Sequence, residues 1–135
     1  MRKIIFRAWD KRIEKMFPVV EINFLDEWVR MYSKIAGRHY SYLDDLVLMQ
    51  FTGLEDKNGV EIYEGDILKL HANPFSRERD LFQVVFKDGG FRDEWNNYIG
   101  QYLPPDIRNK QGGGVRLNEA CEVVGNIYES PEFLQ

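Results

Sequence analysis

Residues 48–70, LMQFTGLEDKNGVEIYEGDILKL, limit the fold more than any other part of the chain, because they place two sharp corners within twenty-three residues. Met49, Phe51 and Gly53 alternate with Gln50 and Thr52, the period-two pattern of a half-buried strand. Asp56-Lys57-Asn58-Gly59 follows, and an Asn-Gly pair tolerates the positive φ at both positions that a tight primed hairpin turn needs. Val60 and Ile62 start a short return strand, which Glu64-Gly65-Asp66 breaks. Gly65 takes positive φ there without steric cost, and Asp66 is expected to hold the corner by accepting backbone N–H groups. Gly59, Gly65 and Asp66 are therefore structural turn residues. Corners this close together predict a mostly β chain with a small, bent, SH3-like barrel rather than a flat open sheet.

The remainder predicts further strands over residues 3–9, 15–24, 81–86 and 120–127, besides 48–54, 60–63 and 66–71. In the first of these Ile4, Phe6 and Ala8 would face inward. Asp10 to Glu14 read as a loop joining two strands of a hairpin. Residues 21–47 carry two patterns. Phe24, Trp28, Met31 and Ile35 recur at helical spacing, whereas Trp28-Val29-Arg30-Met31-Tyr32 alternates as a strand, and the aromatic and β-branched content favours strand. Tyr32, His39, Tyr40 and Tyr42 invite comparison with a binding surface, but an amphipathic rim around an ordinary core is the better account of them. Helical turns are expected at 42–46, near 93–103, and at the C-terminus, where Ser130 would cap and Pro131 would open the turn. Lys87-Asp88-Gly89-Gly90 marks another turn. The glycines at 112–114 sit in a long loop over 92–116 with no Gly-Lys-Ser/Thr after them, which speaks against a phosphate-binding loop.

Length and composition suit one domain, 1–135, with an N-terminal β subregion at 1–47 and the barrel at 48–135. Hydrophobic residues make up 44% and charged ones 30%, an ordinary globular balance. There is no apolar run of membrane-spanning length and no signal-peptide pattern at Met1. The single cysteine, Cys121, fits a reducing compartment and a structural thiol, so a cytoplasmic location is expected. Net charge is −4, although residues 1–16 hold six Lys and Arg against two acids.

The FRAWD run at residues 6–10 with Met16 behind it, the central LMQFTGLEDKNGVEIYEGDIL run, and VVGNIYESPEFL near the end together resemble the YopX family of phage and prophage proteins. The resemblance implies a mostly β domain with a small SH3-like barrel, and an origin in a phage or integrated prophage, hence the cytoplasm of a bacterial host. It implies no activity. Residues 21–47 and 92–116 lie outside the matching patterns.

Catalytic chemistry finds little support. Asp44 and Asp45 are adjacent and would point apart on an extended chain. Glu61, Glu64 and Asp66 have no basic or nucleophilic residue fixed nearby in sequence, and the turn role accounts for Asp66. His39 and His71 lack zinc spacing, and no Asp-x-Asp-x-Asp-Gly calcium loop is present. No catalytic residue, metal or cofactor is expected. The functional expectation is a non-catalytic interaction module for a host or phage protein, with self-association left open. The alternative is a nucleic-acid-binding small barrel using the basic N-terminal hairpin, with Trp9 or a tyrosine stacking a base. Because Ile4, Phe6 and Ala8 supply an inward face, Arg7 and Trp9 would point outward. Together with the turn Glu55-Asp56-Lys57-Asn58 they would flank one partner-binding face. The competing account, in which residues 21–47 bury Trp9 and Arg7 pairs with a neighbouring acid, carries more weight.

Overall fold

The computed structural model describes residues 2–35, 37–71, 80–103 and 114–135. The chain divides into two compact units, Met1–Phe51 and Thr52–Gln135. It is mostly β, as the alternation predicts, and its helical segments among the described residues are single 3-10 turns at Leu43–Asp45, Asn118–Ala120 and Pro131–Leu134.

The first unit is a four-stranded meander with a fifth strand that returns to pair with the first. Strands β1 (Phe6–Asp10), β2 (Lys15–Asn23), β3 (Trp28–Ser33), β4 (Gly37–Tyr42) and β5 (Leu46–Glu55) form a sheet in the order β4-β3-β2-β1-β5, all pairs antiparallel. Ala8, Phe17, Val29, Met31 and Leu46 bury one face of it. The first strand begins later than the expected residue 3. Ile4 lies before it, 55% exposed, while Asp10 lies inside it and is buried. The strand reading of residues 28–32 prevails over the helical one, because the two outer members of the helical spacing are turn residues. Phe24 is 72% and Ile35 102% exposed, whereas Val29 and Met31 are fully buried on alternate positions. The β2–β3 turn is held by the Asn23 side chain, whose Oδ1 accepts the Asp26 N–H at 2.8 Å, and Glu27 takes φ 58° to complete it.

In the second unit the final residues of β5 continue beside β6 (Glu61–Tyr63). A three-stranded sheet runs in the order β11 (Cys121–Asn126), β7 (Asp66–Leu70), β8 (Leu81–Gln83), and a two-stranded one pairs β9 (Val85–Lys87) with β10 (Gly90–Arg92). Ile62, Leu68, Leu70, Phe82, Val84, Ile99, Leu117 and Cys121 form its core. The closed SH3-like barrel is not present: among the described residues the strands make open sheets. One reason is visible at Val84, where the expected strand 81–86 is interrupted. Its N–H donates to the Asp66 carbonyl and its carbonyl accepts the Gly65 N–H, both at 2.9 Å, so β8 stays with β7 while β9 pairs only with β10.

The two corners of residues 48–70 form as corners, by different means. At the first, the Gly59 N–H donates to the Asp56 carbonyl at 3.1 Å and positive φ occurs at Gly59 (81°) but not at Asn58. This is a turn closed by a left-handed glycine, not the primed two-residue turn expected of Asn-Gly. A pair of consecutive positive-φ residues does occur at Asp88 (51°) and Gly89 (78°), joining β9 to β10. At the second corner Gly65 has φ 87°, and the carboxylate of buried Asp66 accepts the Tyr63 N–H at 2.7 Å. Asp66→Ala is expected to lower stability by about 1 kcal/mol or more without altering any binding property, and a denaturant midpoint unchanged from the parent would contradict that.

No helical turn forms at 93–103. Asp93, 1% exposed, turns the chain instead: Oδ1 accepts the N–H groups of Trp95 (2.8 Å) and Asn97 (2.9 Å), and Asn96 takes φ 67°. That leaves Ile99 free to enter the core. The C-terminal turn forms with Pro131 at its start, but the Ser130 hydroxyl makes no capping bond and packs against Gly125, where a Cβ would lie 2.7 Å from its oxygen. Of the loop expected over 92–116, residues 104–113, with Gly112 and Gly113, lie outside the described residues.

Candidate functional site

The β3–β4 ladder sets the site. Its register pairs Trp28 with Tyr42, Arg30 with Tyr40, and Tyr32 with Arg38. Because successive side chains alternate, these six share the face opposite to the buried Val29, Met31 and Ser41. Tyr40 and Tyr42 are 61% and 66% exposed, and the Trp28 and Tyr40 rings meet edge to face with centroids 5.3 Å apart. Arg30 is engaged by Glu21 on β2 at 2.7 Å.

Beside the tyrosines stands a polar cluster from three chain segments. Arg12, in the β1–β2 turn, donates from Nη2 to Ser41 Oγ at 2.8 Å, and its Nε lies 3.6 Å from Asp10 and 3.7 Å from Asp45. Ser41 Oγ in turn donates to Asp10 Oδ2 at 3.2 Å, while Asp10 Oδ1 accepts the Arg12 backbone N–H. Asp10 is 2% exposed, so its charge is held by Arg12 and Ser41 rather than by water. Arg12, Trp28, Tyr40, Ser41 and Tyr42 line an open depression of about 340 Å³, large enough for one long side chain.

Ser41 bonds directly to a carboxylate with no imidazole between them, and its hydroxyl is already used on both sides. His39, on the same strand, packs its ring against Phe17 at 4.6 Å instead. Among the described residues no three His, Cys, Asp or Glu side chains gather closely enough to hold a metal ion, and no helix is long and apolar enough to cross a membrane.

The residues expected from sequence at a binding face fall in both units. Arg7 and Trp9 belong to the first, on the opposite side of β1 from buried Ala8 and Asp10, and both are half-buried. Trp9 sits between Met16 and Val47 of the neighbouring strands. Glu55, Asp56, Lys57 and Asn58 belong to the second. Of these, Glu55, Lys57 and Asn58 are exposed, whereas Asp56 is buried and fully occupied. Its carboxylate accepts the N–H groups of Asn58 (2.8 Å), Val60 (2.9 Å) and, from β11, Val123 (2.9 Å). Asp56 therefore ties the turn down from within, and the polar pattern EDKN gave no sign that one of its four members points inward.

Sequence reasoning missed Asp10 and Arg12, which it assigned to a loop, and Trp28, whose role depends on register. Tyr40 and Tyr42, which the sequence places on a rim or a surface, are exposed.

No curated protein matches the chain. Among solved structures, it is similar to the crystal structure of protein EF1440 from Enterococcus faecalis, with a TM-score of 0.65 and 27% identity, covering 100% of both chains. The family described as YopX protein matches residues 5–135, nearly the whole sequence, and the chain belongs to the YopX family.

Proposed function

We propose that this protein is a non-catalytic interaction module that holds a protein partner, acting as an accessory protein of a phage or prophage in the cytoplasm of its bacterial host. The observation that carries this reading is the exposed aromatic surface of β3 and β4. Trp, Tyr and Arg are the side chains most often found as anchors of protein interfaces, and here Trp28, Tyr40, Tyr42 and Arg12 surround one depression. The overall charge of −4 supports a protein partner over a nucleic acid, which would have to be held against that field. Part of the positive charge of the N-terminal hairpin is also spent internally, since Arg12 faces Asp10 and Asp45. Arg7 and Trp9, and the exposed Glu55, Lys57 and Asn58, remain proposed as further contact residues.

Affinity capture from a host lysate, with and without nuclease, tests the reading. The expected result is a protein that is still retained after nuclease treatment. Recovery of nucleic acid alone, or of a protein that nuclease releases, would overturn it.

A further inference from the structure

The edge of the first unit's sheet extends this reading to the kind of partner it fits. Strand β4 has β3 on one side and no strand on the other, and among the described residues no backbone hydrogen bond is made on its outer side. Natural edge strands are commonly protected by proline, by lysine, by a bulge or by shortness. Strand β4 is Gly-Arg-His-Tyr-Ser-Tyr: it has neither proline nor lysine, its one always-charged residue, Arg38, lies towards the end away from Tyr42, and it pairs with β3 through six consecutive positions without a register shift. Its unpaired edge is therefore a regular template about 20 Å long for another extended chain.

The depression at the Tyr42 end of that edge selects the charge of the incoming segment. Three of its five lining residues, Trp28, Tyr40 and Tyr42, are aromatic, the residue class against whose ring faces cations pack, and its one charged lining residue, Arg12, is already engaged by Asp10, Asp45 and Ser41. The surrounding charge has the same preference. The Leu43 N–H donates to the Glu27 carbonyl at 2.9 Å, which brings the 3-10 turn bearing Asp44 and Asp45 beside the β2–β3 turn bearing Asp26 and Glu27. Asp10 adds a further carboxylate within the cluster, and Arg12 is the one guanidinium among them. The other two arginines of the face lie elsewhere: Arg30 is held by Glu21, and Arg38 stands opposite Tyr32 towards the far end of the strand. Lys11 also lies beside this turn, its N–H donating to the Asp45 carbonyl at 3.0 Å, so five carboxylates stand against two cations. An acidic peptide or a phosphate backbone would meet that excess of negative charge, whereas a Lys or Arg side chain would be drawn by it.

We propose that β4 is the docking edge for an extended basic segment of a partner protein, which adds as a further strand and seats a Lys or Arg side chain between Trp28, Tyr40 and Tyr42. This rests on the protein-binding reading above and specifies its surface and its partner chemistry.

The test is titration of the 15N-labelled full chain with the peptide acetyl-(Arg-Thr)4-amide and, separately, with acetyl-(Glu-Thr)4-amide. The arginine peptide is expected to shift the amide signals of residues 37–42 and the Trp28 indole, with a Kd lower than that of the glutamate peptide by about tenfold or more. A Tyr40→Ala, Tyr42→Ala double variant changes only exposed side chains, so it should melt like the parent while losing that difference. Asp44→Lys, also exposed, should weaken the arginine peptide alone. Absence of shifts with the arginine peptide, equal or tighter binding of the glutamate peptide, or shifts confined to residues away from β3 and β4 would each overturn the docking edge. Nuclease-resistant capture of a protein that the double variant still retains would overturn the docking edge and leave the protein-binding reading standing. Capture of nucleic acid alone would overturn that reading itself.

Discussion

Gly65→Val is expected to destabilise the protein by about 3 kcal/mol and to lower its melting midpoint by roughly 10 °C. Gly65 is buried at φ 87°, beyond the φ of 51° to 67° at which Asp88, Asn96, Glu14 and Glu27 stand in their turns. A β-branched residue is a steric outlier anywhere in that region, and most of all at the larger angle. The chain has little room to relax around it. The Gly65 N–H donates to Val84 at 2.9 Å and its carbonyl accepts the Ile127 N–H at 3.0 Å, so rotating φ towards negative values would detach the corner from two other segments. Gly65→Ala should show the same effect at a smaller size, about 1–2 kcal/mol. Thermal melts of the two variants and the parent check this. A valine variant that melted within a degree or two of the parent would mean that the corner is not constrained as described.

Asp56→Ala is expected to cost about as much, roughly 3 kcal/mol, although the side chain lost is small and polar. Hydrogen bonds to a charged acceptor contribute about 1.5–3 kcal/mol each, and three of them converge here without being fully additive. The Asn58 and Val60 N–H groups lie in an exposed turn, where water replaces the carboxylate. The Val123 N–H does not have that relief to the same degree, because its residue is half-buried in β11, next to the register shift between Val123 and Gly125. Hydrogen exchange is therefore expected to quicken most at Val123, together with a melting midpoint lowered by roughly 10 °C. Asp56→Asn keeps one acceptor oxygen but turns an NH2 group towards at least one donor, so it should recover little. Unchanged protection at Val123 in the alanine variant would refute the role assigned to Asp56.

These expectations separate turn residues whose function can be read locally from those whose function cannot. The positive φ of Gly65 and the Asp66 bond to the Tyr63 N–H act within a few positions of the corner, and those roles were legible in Glu-Gly-Asp. Asp56 looks like one of several polar residues in a turn, yet it works across 67 positions of sequence to reach Val123. Asn58-Gly59 illustrates the converse. A dipeptide that permits positive φ at two positions uses it at one, because Asp56 accepts the Asn58 and Val60 N–H groups and so chooses the turn.

Residues 21–47 show the same division on a larger scale. Helical and strand periodicities coexist there, and local pattern alone weighs them nearly equally. The four-residue turn after Asn23 breaks the helical series at Phe24, and burial of Val29 and Met31 against Ala8, Phe17 and Leu46 selects the alternating one. Only then do Trp28, Tyr40 and Tyr42 come to share a face, since their alignment depends on the pairing of β3 with β4.

What the sequence determined by itself was the β character, the two corners of residues 48–70, the turn at Asp88-Gly89, the terminal helical turn and the family. Each of these depends on side-chain periodicity or on the φ preferences of one or two residues, which act over short distances along the chain. What only the tertiary structure decided was the openness of the sheets, the inward turn of Asp56, the burial of Asp10, and the meeting of Arg12 with the tyrosines of an edge strand. Those depend on register and on which buried polar groups find partners, and both are set by residues tens of positions apart.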